Sequence, residues 1–263
     1  MNTFFSVAIT SNETNLLSQA RILSRKNLLP YVNYFDRDRF DYVFVLTSSG
    51  LYLEAIKNKQ GKLKIDFLHG KLAYRIRHLQ NQKQLLAKAI GLKPNFKPIV
   101  LDVTAGLGRD GFILAKLGCA VTLLERSPFI FILLEDGLKR ALKFSDARTL
   151  SITLINIDAH IYLEKIKRRI YSAPDVIYLD PMYPHSNKTA FAKREMRLLR
   201  FLVGNDSDAF HLLKLAINYA KKRVVVKRPR SSTYLAEVKP HYSLFGKQHR
   251  LDVYLTCSFN NER

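Results

Sequence analysis

Cysteine is scarce in this chain: only Cys119 and Cys257 occur among 263 residues. Two isolated thiols make neither a disulfide framework nor a metal-ligand pattern, so both read as small buried hydrophobes. The seven histidines do not fall at zinc-ligand spacing, and no metal site is expected. No apolar run reaches the ~18 residues that mark a membrane span. The opening MNTFFSVAITSNE lacks the basic start, long apolar centre and small-residue cleavage site of a signal peptide. The expectation is a soluble, cytoplasmic protein with no membrane partner. Acidic residues are few as well: 22 Asp and Glu stand against 43 Lys and Arg, a net charge of +21. A surplus that large favours a polyanionic partner, with nucleic acid ahead of an acidic membrane surface. Repeats and low-complexity tails are absent. Hydrophobic residues make up 47%, which supports a packed core and excludes a disordered chain.

The chain divides by pattern into a small N-terminal α+β domain (1–78), a linking helix and connector (79–97) and a larger domain (98–263). In the first part FFSVAIT, DYVFVLTS, GLYLEAI and KLKIDFL are rich in β-branched and aromatic residues and read as strands. SNETNLLSQARILSRKNLL reads as a helix, with Asn12 or Thr14 as its cap and Pro30 closing it. HLQNQKQLLAKAIGL reads as the linking helix, and LKPNFKP as a Pro-punctuated connector.

From Lys97 strands and helices alternate. PIVLDVTA, AVTLLE, SITLINID, DVIYLD and RVVVKRP are short apolar strands, and GRDGFILAKLG and PFIFILLEDGLKRALKF are helices. Strands without polar alternation suit a parallel sheet covered on both faces, so the pattern predicts a doubly wound α/β fold. HYSLFG and RLDVYLTCSF end the chain as an antiparallel hairpin at the sheet edge.

The first strand ends at Asp102 and runs into a glycine-rich turn, LDVTAGLGRDG. Gly106 and Gly108 permit close backbone approach to a ligand, and a helix starting near Arg109 presents free N–H groups. With Gly111 they spell the dinucleotide fingerprint, which NAD enzymes share. Glu125 ends the second strand nineteen residues after Gly106, where a carboxylate can accept hydrogen bonds from the ribose hydroxyls of NAD or of S-adenosylmethionine (SAM). Asp158 ends the third strand, placed to meet an adenine amino group or to lie in a loop.

DVIYLD runs into Pro181, Met182, Tyr183 and Pro184. D-P-M-Y-P resembles the [D/N]-P-P-[Y/F] motif of amino-group methyltransferases and separates methyl transfer from hydride transfer. A ring-conjugated amine is a poor nucleophile and must be oriented and relieved of its proton. Asp180 can accept one N–H, a carbonyl in the Pro181–Met182 stretch another, and the Tyr183 ring can stack on the base. Proline stiffens the loop so that the acceptors are set before the base arrives. The segment KTAFAKREMRLLRFL adds Lys188, Lys193, Arg194, Arg197 and Arg200 beside an apolar side of Ala190, Phe191, Met196, Leu198, Leu199 and Leu202. It reads either as a solvated surface helix or as a phosphate-contacting one. VVVKRPR puts Lys227, Arg228 and Arg230 at a strand C-terminus, on the ligand-binding edge with Asp180, where they can hold an RNA backbone.

TAGLGRDGFILAKLG, LLERSP, YLDPMYPH, KREMRLL, RVVVKRP and HRLDVY, in that order, resemble the ribosomal RNA small subunit methyltransferase J family over about residues 65 to 256. The resemblance implies a Rossmann-like class I SAM-dependent methyltransferase fold. It further implies methylation of N2 of a guanine in small-subunit (16S) ribosomal RNA, and the ribosomal RNA or small subunit as partner. It implies SAM contacts at Arg109 and Asp110, Glu125 and Arg126, Asp158 and Ala159, and Asp180. Two departures stand out. Asp158–Ala159 replaces a pair of small hydroxyl residues, and HLQNQKQ replaces a glycine-rich stretch before the linking helix. Two rivals keep the glycine turn and the charge: an NAD-dependent oxidoreductase, which has no use for D-P-M-Y-P, and a non-catalytic RNA-binding or assembly protein on the same fold.

Overall fold

A computed structural model describes residues 5–57, 61–77, 84–144, 150–182, 198, 202 and 208–256. Two sheets organise it. The larger has seven strands in the order β10-β11-β9-β8-β5-β6-β7. These are β5 (Ile99–Asp102), β6 (Ala120–Glu125), β7 (Ile152–Asn156), β8 (Val176–Leu179), β9 (Arg223–Pro229), β10 (Tyr242–Phe245) and β11 (His249–Leu255). All pairs from β9 to β7 are parallel, whereas β11 runs antiparallel to both β9 and β10. The terminal hairpin is therefore at the edge, as its sequence predicts.

Side chains alternate across the sheet with period two. Val100, Val121, Leu123, Val176, Tyr178, Val225 and Val253 belong to one core layer. That layer includes helices α3 (Leu85–Ile90), α4 (Arg109–Lys116) and α5 (Pro128–Phe144). Leu101, Leu124, Ile177, Leu179, Val224 and Val226 face the other layer, with α6 (Ala159–Lys167) and α7 (Ala209–Tyr219). Both faces are covered, which explains the unbroken apolar runs. Cys119 is buried in the first layer; Cys257 lies outside the described residues.

The smaller sheet has the order β1-β2-β3-β4: β1 (Val7–Ser11), β2 (Tyr42–Thr47), β3 (Gly50–Ala55) and β4 (Gly61–Leu63). Helix α1 (Leu17–Lys26) connects the parallel pair β1 and β2. It has no side-chain cap: a 3-10 turn over Thr14–Leu16 leads into it, so neither Asn12 nor Thr14 plays the expected capping part. KLKIDFL is strand only to Leu63. Asp66 Oδ1 accepts the backbone N–H groups of Leu68 and His69, and this turn starts helix α2 (Gly70–Arg77), an element the sequence patterns did not single out. The linking helix is described from Leu85 and ends at Gly91 in the left-handed region.

The two sheets share one hydrophobic cluster, to which β1–β4 contribute Ile9, Phe44, Leu53 and Leu63. Helix α5 lies between them. Its Gly137 has no side chain, and a Cβ there would stand 2.8 Å from Ile65 Cγ2. Asp136 Oδ2 accepts the Leu51 N–H at 3.1 Å, and Lys26 pairs with Glu135 at 2.6 Å. Phe67 stacks on Phe112 of α4 at 4.3 Å between centroids.

Candidate active site

The chain leaves β5 to one side for β6 and β7, then returns to the other side for β8 and β9. The C-terminal ends of β5 and β8 therefore flank the crevice where ligands bind in open α/β sheets. Asp102 ends β5, and Asp180 directly follows β8.

The three glycines of the turn have different tasks. A Cβ on Gly108 would lie 2.5 Å from Leu134 Cδ1, and one on Gly111 would lie 2.3 Å from Leu123 Cδ2. These two glycines let α4 seat against α5 and β6. Gly106 has φ +53° and only the Thr104 carbonyl oxygen, at 3.8 Å, near its would-be Cβ. It is the position of the three where a ligand can approach the backbone closely. Glu125 is buried and holds this turn in place. Its Oε2 accepts the Gly106 N–H at 2.9 Å, and its Oε1 accepts the Ser127 N–H at 2.7 Å.

A compact acid–lysine network fills the floor of the crevice. Lys227 Nζ, from β9, donates to Asp110 Oδ2 and to Asp180 Oδ2, both at 2.7 Å. The Tyr178 hydroxyl donates to the same Asp110 oxygen at 2.7 Å, and Arg75 of α2 stands 3.5 Å from Asp110 Oδ1. Thr104 ties the two strand ends together. Its N–H donates to Asp102 Oδ1 at 3.1 Å, and its Oγ1 accepts the Asp180 N–H at 2.6 Å.

Environment sorts the three carboxyls. Burial raises Asp102 from 3.8 to about 8 against the Thr104 N–H, and the charges of Asp110 and Asp180 add to the rise. Asp102 thus carries a proton at neutral pH. Burial also pushes Asp110 up, but Lys227, Tyr178 and Arg75 outweigh it, and the carboxyl falls below its ordinary value. Asp180 is raised by its protein surroundings and by Asp110, with Lys227 opposing. Its side chain is nonetheless 41% exposed to the crevice. Lys227 is held firmly protonated, since its two carboxylate partners overcome the effect of burial. His249, at the start of β11, is lowered by burial and by the Lys227 charge.

At the end of β7, Asp158 caps α6 by accepting the His160 N–H at 2.8 Å. Ala159 is buried in the first turn behind it. Ligand atoms of Asp158, His160 and Asp208 lie within 4.8 Å of one another. Arg126 already stands 3.2 Å from Asp208, and His160 Nδ1 lies 3.3 Å from Asp158 and 3.6 Å from Asp208, so the trio's polar atoms are engaged with one another and with Arg126.

The cations expected along an RNA path fare differently. Arg228 is 5% exposed and its guanidinium donates to the Thr233 carbonyl, which removes it from the surface. Lys227 turns into the acid network. Both placements follow from strand alternation: neighbouring residues on β9 point to opposite faces of the sheet. Arg230, beyond the strand, is exposed, as is Arg109 at the start of α4. Tyr183, Lys188, Lys193, Arg194, Arg197 and Arg200 lie outside the described residues. Of the apolar side proposed for that segment, Leu198 is buried and Leu202 packs on the core, its carbonyl accepting from the Ser127 hydroxyl at 3.1 Å. Arg75, Thr104 and His249 were not singled out by sequence. Arg75 comes from the N-terminal part, and only its fold-level approach to Asp110 reveals it.

The acidic lining and the open backbone at Gly106 suit a ligand that carries an ammonium and a sulfonium, so the residues present fit SAM. Among the described residues no helix is long and apolar enough to cross a membrane. The family model for SAM-dependent methyltransferases matches residues 28–256. Ribosomal RNA small subunit methyltransferase J of Coxiella burnetii is 46% identical over 251 residues, covering 95% of this chain and 97% of that protein. The protein of the same name from Nitrosococcus oceani is 50% identical over 196 residues, 74% of this chain and 76% of its own. The crystal structure of a SAM-dependent methyltransferase from Neisseria gonorrhoeae superposes with a TM-score of 0.72 at 33% identity, over 97% of each chain.

Proposed function

The chain belongs to the ribosomal RNA small subunit methyltransferase J family of SAM-dependent methyltransferases, and from that premise we propose that it methylates the N2 amine of a guanine in small-subunit ribosomal RNA. The observation that carries the reading is Asp180. Its backbone is fixed by Thr104, and its carboxylate opens into the crevice beside the glycine turn. SAM, when bound, supplies an electrophilic methyl carbon. Gly106 and Arg109 would border it, Glu125 and Arg126 would meet its ribose, Asp158 and Ala159 its adenine, and Asp102 and Asp110 its amino-acid end.

The guanine leaves its stack to enter the crevice. Asp180 accepts one N–H of its amine, and a carbonyl of the Pro181–Met182 stretch accepts the other. Held this way, the nitrogen lone pair faces the methyl donor, and alignment supplies most of the rate. The amine becomes acidic as it is alkylated, and its proton passes to Asp180 late. Tyr183 stacks on the base. Arg230, with Lys188, Lys193, Arg194 and Arg197, holds the surrounding phosphates.

The test incubates the protein with radiolabelled SAM and small ribosomal subunits lacking the modification, then identifies the labelled nucleoside. Label in N2-methylguanosine is expected, and Asp180→Ala should lower it at least about a hundredfold. Label in another nucleoside overturns the base assignment. No label, with SAM bound and the subunits intact, overturns the substrate.

A further inference from the structure

Lys227 is the cation at the centre of the acid network, and its geometry is that of a clamp. Its ammonium spends two of its three N–H groups on Asp110 Oδ2 and Asp180 Oδ2 at 2.7 Å each, with the side chain 25% exposed. Asp110 has independent support in Tyr178 and Arg75. Asp180 does not: among the described residues its side chain has Lys227 as its hydrogen-bonding partner, through Oδ2, and Oδ1 makes none. An aspartate that is 41% exposed would otherwise turn freely about its χ angles.

We propose that Lys227 is a positioning residue for methyl transfer: it clamps Asp180 by Oδ2 against the half-buried Asp110 and leaves Oδ1 directed to the substrate amine. The proposal rests on the reading of Asp180 as the amine's acceptor. It assigns Lys227 to the reaction and removes it from phosphate binding.

The clamp also has an electrostatic side. The charged and titratable groups facing Asp180 are Asp102 of β5, Asp110 of α4, Tyr178 of β8, Lys227 of β9 and His249 of β11, with Arg75 of α2 behind Asp110. Three carboxyls thus meet one ammonium at close range. Without Lys227 the negative charge of Asp110 would favour a proton on Asp180, and a protonated Asp180 competes poorly for the amine N–H. Lys227 opposes the rise at Asp180, whereas Asp102, deeper in the cluster, is raised to about 8 by burial and by the charges of Asp110 and Asp180.

The experiment follows the Asp180 carboxyl by carbon-13 NMR of aspartate-labelled protein, assigned with Asp180→Asn, alongside the methylation assay from pH 5.5 to 9. In Lys227→Met the Asp180 midpoint should rise by at least about one pH unit. At pH 7 kcat should fall at least about tenfold while KM for the subunit changes less than about twofold, and part of the loss should be recovered at higher pH. Lys227→Arg should restore the midpoint. An unchanged midpoint in Lys227→Met overturns the proposal, as does a loss confined to KM, which is the behaviour of a phosphate contact. Should Lys227→Met not fold, Lys227→Gln, which removes the charge and leaves Asp110 intact, is read by the same two measurements. A raised Asp180 midpoint with low kcat supports the clamp, and an unchanged midpoint overturns it. A wild-type chain that labels no guanosine would defeat the functional reading, while the NMR midpoint would still decide the clamp.

Discussion

At the residue scale the site is defined by how one chemical type takes three roles. Asp102, Asp110 and Asp180 sit together, yet the first is protonated, the second is firmly ionised and the third opens to the crevice. The buried proton on Asp102 has a consequence for stability. Its value moves from 3.8 to about 8 on folding, so between those values the folded chain holds a proton that the unfolded chain has released. Stability must then fall as pH rises through that window. Asp102→Asn removes this contribution. Chemical denaturation at pH 5 and pH 7.5 should show a smaller loss of stability on raising pH in the variant than in the wild type. Equal losses would mean that Asp102 is ionised in the fold. The sequence pointed to Asp180 and Glu125 because strand ends in an α/β alternation have fixed positions. It did not separate the three carboxyls, because protonation depends on neighbours brought in from α4, β9 and α2. Nor did it separate Lys227 and Arg228 from Arg230, since run composition does not show which way each side chain turns.

At the element scale, α5 explains how the two sheets cohere. Its Ile130, Leu133 and Leu134 belong to the hydrophobic cluster that both sheets share, Leu134 lies against Gly108 of the glycine turn, and Gly137 receives Ile65 from the N-terminal part. Valine at 137 would drive its side chain into Ile65 and its carbonyl, at 2.8 and 3.0 Å from the first added carbon. Gly137→Val should cost about 1–3 kcal/mol, seen as a lower Tm by calorimetry, although glycine is itself a poor helix residue. A higher Tm would show that the small sheet is not seated there. PFIFILLEDGLKRALKF was legible as this helix from its 17-residue span of helical periodicity. Helix α2 was not, because KLAYRIR mixes β-branched and aromatic residues with charge, and its start depends on the Asp66 turn. That omission hid Arg75. The hydrogen-bonded loop after β9 was likewise not legible. It is held by Arg250, which pairs with buried Asp252 at 2.8 Å and donates to the Arg230 and Ser232 carbonyls.

At the scale of the whole molecule, the +21 charge belongs with a polyanionic substrate. Counterion release makes such binding fall steeply with salt. KM for the small subunit should rise at least about tenfold between 50 and 200 mM KCl, with SAM affinity changing far less, and Arg230→Ala should flatten the logarithmic slope by about one. A KM insensitive to salt would mean that the cations do not touch the phosphates. The hydride-transfer alternative, which shares the glycine turn and Glu125, ends with the family match over residues 28–256. By itself the sequence determined the doubly wound sheet, the edge hairpin, the cofactor turn and the place of Asp180, because these are local: apolar period, glycine spacing and strand-end position are written in consecutive residues. Only the tertiary structure decided which of the three glycines has open space beside its backbone, which carboxyl keeps a proton, and that Lys227 turns to Asp110 and Asp180. Those properties arise from groups far apart in the chain that meet within 3 Å, where burial and charge outweigh anything a single segment specifies.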